Sequence, residues 1–185
     1  MNPFAQWLKT GFACAVFLFA GADGVTSDAV PLVDPSQSAS CASPQYRQFD
    51  FWIGDWDAFD VDNPTVKVAH NRVDSILGDC VLLEDYQGTN GSKGQSFSIY
   101  DASRGVWHQS WVTNRGQLLL IEGKFQGGEM VLNGVDRMAD GKERYVRGTW
   151  KSASGGVRET AVTSTDGGKT WQPWFDLIFR PHKPN

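Results

Sequence analysis

Between about residues 44 and 180 apolar and polar side chains alternate in short runs, the two-residue period of a strand with one buried face. The runs predict strands near 55–60, 65–77, 80–88, 94–101, 105–114, 116–125, 128–136, 143–151, 156–164 and 171–180. Turn-forming pairs such as Asn90-Gly91, Arg104-Gly105, Gly127-Gly128 and Asp166-Gly167 punctuate them. No stretch carries the period of a long amphipathic helix. Connections this short make successive strands antiparallel neighbours, and a sheet of about ten strands must curl, split or close to protect its edges. An all-β, antiparallel up-and-down barrel closes it most economically; a two-sheet sandwich is the alternative. The segment Pro44 to Phe51 reads as a helical turn whose aromatics close one barrel end.

The chain before this domain changes character twice. Residues 1–22 hold Lys9, an apolar run from Gly11 to Ala20 and the small residues Ala20-Gly21-Ala22, the pattern of a cleaved signal peptide. The run is about half the roughly 20 residues a membrane-spanning helix needs, so no membrane insertion is expected after cleavage. Residues 23–43 are rich in Ser, Ala, Asp and Pro without apolar period and read as a flexible leader, leaving 44–185 as the folded domain. The protein is therefore expected to be exported, to a periplasmic or extracellular space.

Cleavage removes one of 17 basic side chains and none of the 21 acidic ones, moving the formal charge from −4 to −5. A nucleic-acid partner needs a basic patch and is not expected. Cys14 leaves with the peptide, and Cys41 and Cys80 remain. In an oxidising compartment they form a disulfide between the N-terminal segment and the barrel, with two separate thiols as the alternative.

Phe49-Asp50-Phe51-Trp52-Ile53-Gly54-Asp55-Trp56 carries, in Gly54 and Trp56, the Gly-x-Trp pattern that opens the first strand of lipocalins. The last strand ends in Asp176-Leu177-Ile178-Phe179-Arg180. With Gly78-Asp79-Cys80 leading to Glu84, Trp107-His108-Gln109-Ser110-Trp111, Arg147-Gly148-Thr149-Trp150 and Ser164 to Trp171, the chain over about Tyr46 to Arg180 resembles a bacterial family of exported lipocalin-like (calycin-type) barrels without an established activity. The resemblance implies that Arg180 lies across the face of Trp56 as a cation–π contact. It also implies a Gly-Cys pair where this chain inserts Asp79, a departure that touches the local register. Ser164-x-Asp166-x-Gly168-x-Thr170-Trp171 is similar to the Asp-box of sialidase propellers, where Asp166 would cap its own turn and Trp171 pack beneath it.

Alternation along 106–112 puts Trp107, Gln109 and Trp111 on one face and His108 and Ser110 on the other. If the tryptophan face points inward, it forms a flat-walled pocket with one hydrogen-bonding amide, or it simply fills the barrel. Glu84 and Arg147 are read as inward-pointing too, either as a structural ion pair or as a polar anchor for a ligand. Asn71 and Tyr100 complete the candidate lining. The three histidines, His70, His108 and His182, match no metal spacing, and no haem or other cofactor is expected. No nucleophile elbow or phosphate loop is present. The leading expectation is an extracytoplasmic protein that binds a small apolar or amphipathic molecule. The alternatives are an enzyme of isomerase, cyclase or hydrolase type using Glu84 as acid or base in the same cavity, and an interaction module with a filled barrel. Oligomeric state is not set by any of these features.

Overall fold

The computed structural model of the chain describes residues 41–138 and 140–184. Residues 1–22, read as a signal peptide, and nearly all of the leader lie outside the described residues. Two 3₁₀ turns, Pro44–Arg47 and Asp50–Trp52, precede ten strands: β1 (Gly54–Asp60), β2 (Asn63–Ile76), β3 (Val81–Gly88), β4 (Lys93–Asp101), β5 (Val106–Thr113), β6 (Leu118–Gln126), β7 (Glu129–Arg137), β8 (Glu143–Ala153), β9 (Gly156–Ser164) and β10 (Gln172–Pro181). Every neighbour in sequence is a neighbour in space, and β1 pairs with both β2 and β10. The sheet thus closes as an antiparallel up-and-down barrel, which leaves no edge strand. The sandwich alternative is excluded by the β1–β10 pairing.

The closed end is built by the N-terminal turns. Phe49 and Trp52 are fully buried because the turns fold them into the barrel base. Phe49 meets Trp107 and Trp150 edge-on at 5.7 and 5.6 Å between ring centroids, and Trp52 meets Phe179 at 4.6 Å. The Trp107 indole N–H donates to Gln48 Oε1 at 3.2 Å. A disulfide joins Cys41 to Cys80, so the N-terminal segment is tied to the β2–β3 connection. Arg47 donates to the Asp79 carbonyl at the same corner.

That connection accommodates Asp79 without shifting the strand register. Leu77, Gly78 and Asp79 all take left-handed backbone, with φ of 52°, 63° and 63°, and Ile76 pairs directly with Val81. Glu84 consequently keeps the inward parity of Leu82, and both are buried. At the start of β1 the indole of Trp56 folds back over Gly54, where an added Cβ would sit 2.4 Å from the ring. Only glycine leaves that space, which gives the Gly-x-Trp pattern its physical reason.

Arg180 departs from the expectation. It pairs with Asp57 across β1 and β10, which puts it on the outer face, while Trp56 faces the other way and stacks on Trp52 at 6.3 Å. The guanidinium lies 4.7 Å from the Phe59 ring centroid and donates to the Pro64 carbonyl. The cation–π contact is therefore made outside the barrel, with Phe59.

Candidate functional site

Above the aromatic floor the barrel encloses a cavity of about 420 Å³, within the usual range for small-molecule sites. Its walls are largely apolar, with Trp111, Leu119, Ile121, Val146, Trp150 and Leu177 among them. It opens at the end opposite the N-terminal turns, where Lys93, Asn114 and Arg115 stand on the β3–β4 and β5–β6 hairpins and Trp174 and Phe175 begin β10. At this mouth the Arg144 guanidinium lies 4.4 Å from the Trp174 ring centroid and pairs with the buried carboxylate of Asp136.

Alternation in β5 is as expected: Trp107 and Gln109 are buried, and Trp111 lines the cavity. Of the seven candidate lining residues, Glu84, Gln109 and Trp111 lie on the cavity wall. Asn71, fully buried, sits against Glu84. Trp107 faces inward but lies too deep; it belongs to the floor under Phe49. Tyr100 is in the same layer, packed against Tyr46 and Trp107 at 5.3 and 6.0 Å.

Arg147 is a correction. The inner face of β8 is Val146, Gly148 and Trp150, so Arg147 points outward, where it donates to Asn133 Oδ1 at 2.8 Å and lies 4.3 Å from the Trp171 ring centroid. It neither lines the cavity nor pairs with Glu84. Its role is to cover the β9–β10 turn, which closes as the Asp-box pattern requires. Asp166 Oδ1 accepts from the Lys169 and Thr170 amides at 2.9 Å each, and the Trp171 indole N–H donates to the Gly168 carbonyl at 3.0 Å. The Thr170 hydroxyl and amide, followed by the Ser164 hydroxyl, hold the Asp166 carboxyl well below the ordinary carboxylate range.

His108 points away from the cavity, its ring nitrogens at 2.9 Å from Glu122 Oε1 and 2.8 Å from Ser110 Oγ. No cluster of three or more potential metal ligands occurs among the described residues.

The residue that sequence reasoning missed is Glu159. It lines the cavity from β9 between the buried Val157 and Ala161 and is itself half-buried. In the sheet it is flanked by Trp150 and Leu177. Burial pushes its carboxyl well above the ordinary range, the negative charge of Glu84 adds to the shift, and the Trp150 side chain partly offsets it by hydrogen bonding. Glu84 is raised as well, first by burial, which outweighs the Ser96 hydrogen bond and the polar Asn71 side chain beside it. Ser96 Oγ donates to Glu84 Oε2 at 2.7 Å, and Gln109 Nε2 donates to Ser98 Oγ at 3.0 Å. Tyr86 stands among these groups, its hydroxyl raised by burial and then by the charges of Glu159 and Glu84. The cavity therefore holds two interacting carboxyls in an aromatic and aliphatic wall. They titrate as a pair, and the pair retains protons at a pH where surface glutamates have lost theirs.

A sign follows for stability. Carboxyls raised above their unfolded value contribute stability that is fully present below about pH 4.5 and is lost as pH rises through the raised values. Glu159→Gln removes the buried charge and is expected to stabilise the barrel by roughly 1–3 kcal/mol at about pH 8, with the gain vanishing in acid. Thermal melts of the two proteins at both pH values check this; a gain independent of pH would mean that Glu159 is not a buried ionising group.

No protein-family model and no curated protein sequence matches the chain. The lipocalin-like reading therefore rests on the motifs and on the ten-stranded antiparallel barrel itself.

Proposed function

We propose that the protein is an extracytoplasmic receptor for a small amphipathic molecule, held with its apolar body against the barrel wall and its polar group at Glu84 and Glu159. The observation that carries this reading is the cavity of about 420 Å³ with convergent carboxyls in its wall. A merely structural barrel gains nothing from burying two unneutralised acids, because apolar residues of like volume would fold as well or better. Export is part of the proposal. The signal-peptide pattern of residues 1–22 supports it, as does the Cys41–Cys80 disulfide, since such bonds persist in oxidising compartments.

A second reading is favoured by the same carboxyl pair. A glutamic acid whose burial raises its carboxyl above the ordinary range is suited to general acid catalysis, so an enzyme acting on a small hydrophobic substrate would use the same residues.

The test is native mass spectrometry of the protein purified from its own host, set against the denatured mass. An adduct retained by the wild type and lost in Ala161→Phe, which fills the cavity from the wall with an uncharged ring, is the expected result. Glu84→Gln is expected to weaken it. A protein carrying no adduct, and taking up none from a host extract, would overturn the receptor reading. Conversion of an added adduct molecule to a different mass would move the assignment to the enzyme.

A further inference from the structure

The cavity has an unbalanced charge inventory. Glu84 and Glu159 lie on its wall, and the cations that also line it, Lys93 and Arg115, are exposed on the mouth hairpins, with the half-buried Asp60 at the end of β1. Neither glutamate forms a salt bridge among the described residues. Buried charges in folded proteins are ordinarily paired, and here the partner is missing on the protein side.

The hydrogen-bonding inventory is unbalanced in the same direction. Ser96 donates to one oxygen of Glu84, leaving acceptor capacity on that carboxylate and on Glu159. Asn71, fully buried beside Glu84, has neither its amide nitrogen nor its amide oxygen in a hydrogen bond of ordinary geometry. Around these acceptors stand the rings of Tyr86, Trp111 and Trp150, whose faces attract cations.

We propose that the molecule taken by this cavity is an organic cation, an arylalkylammonium whose charged nitrogen docks at Glu84 and Glu159 and whose apolar body lies against Trp111 and Trp150. The inference rests on the receptor reading and gives its ligand a class. An ammonium group brings the donors that the carboxylate oxygens lack, and it replaces the proton the pair holds when empty. An ammonium favours the ionised carboxyls, so any proton the pair holds is released to solvent as the ammonium enters. A neutral carbonyl ligand would do the reverse, accepting a hydrogen bond from the protonated acid and binding best when that proton is in place.

The two chemistries have opposite pH dependence. Between about pH 6 and about pH 8 an alkylammonium stays charged. The other charged groups facing the site are Lys93, Arg115 and Asp60 at the mouth and Asp85 beside Glu84, whose carboxyl is lowered by hydrogen bonds from Gln87 and Gln95. Tyr86 stays neutral, because its hydroxyl is raised from 10.0. The glutamate pair, raised by its burial, is the group through which the pH dependence is expected to act.

The experiment is isothermal titration of the full mature protein with three probes of one shape: phenethylamine, phenethyl alcohol and 3-phenylpropionate. Phenethylamine is expected to bind at least about ten-fold more tightly than either other probe, or about 1.4 kcal/mol, and more tightly at pH 8 than at pH 6. Glu159→Gln is expected to lower its affinity about ten-fold or more while leaving the fold more stable at pH 8, a combination that misfolding would not give. Equal or tighter binding of the alcohol or the carboxylate, lost in Ala161→Phe, would overturn the cation assignment and leave the receptor standing. No binding by any probe would overturn the cation assignment, and an empty protein in the host-extract experiment would then overturn the receptor as well.

Discussion

Phe49→Ala is expected to cost about 3–5 kcal/mol, the range for deleting a buried aromatic side chain. Phe49 is fully buried and sits at the centre of the floor, with the rings of Phe51, Trp107 and Trp150 at 5.5, 5.7 and 5.6 Å. It lies between the two 3₁₀ turns, so its anchorage holds the plug in the barrel end. Trp150 belongs to both the floor and the cavity wall, so the space vacated by Phe49 adjoins the ligand site. Binding should weaken along with folding. Urea denaturation followed by tryptophan fluorescence measures the first effect, and Phe49→Leu, which keeps most of the volume, should recover more than half of it. A loss below about 1 kcal/mol would mean that the N-terminal plug is dispensable.

Removing the disulfide by Cys41→Ser with Cys80→Ser is expected to cost up to about 4 kcal/mol. The two cysteines are 39 residues apart, and closing a loop of that length restricts the unfolded chain by about this amount. The cost acts mainly through the unfolded state, because the Arg47 contact with the Asp79 carbonyl still holds the same corner when folded. Wild-type protein denatured in reductant should match the double variant. Equal stability with and without reductant would show that the bond contributes nothing under native conditions, and that the turns are held by packing alone.

The strands were legible because alternation reports facing directly. The readings of 143–151 and 156–164 fall within two residues of β8 and β9, and the inward set Trp107, Gln109 and Trp111 is correct as a face. Alternation does not report depth along the barrel. Trp107 and Trp111 share that face, yet one is in the floor and the other in the cavity, because the plug occupies only the end where β5 begins. Arg147 was placed inward as an expected partner for a buried glutamate, although Val146, Gly148 and Trp150 already spell the inner face of β8. The same rule would have found Glu159, which alternates with Val157 and Ala161. It was hidden because Arg158-Glu159-Thr160 reads as a solvated stretch when each residue is weighed by polarity alone. The path of the chain at Asp79 and the placement of Arg180 depended on backbone in the left-handed region and on strand register, neither of which a single sequence displays.

The most direct test of the account is a carboxyl carbon NMR titration of Glu84 and Glu159, assigned with the two glutamine variants. Both resonances are expected to titrate above the ordinary glutamate value of 4.5 in coupled steps, and to shift toward the ionised position when the cavity is occupied by an ammonium ligand. Two independent titrations near 4.5, indifferent to any ligand, would mean that the cavity is open to water and its carboxyls ordinary, and would contradict the account.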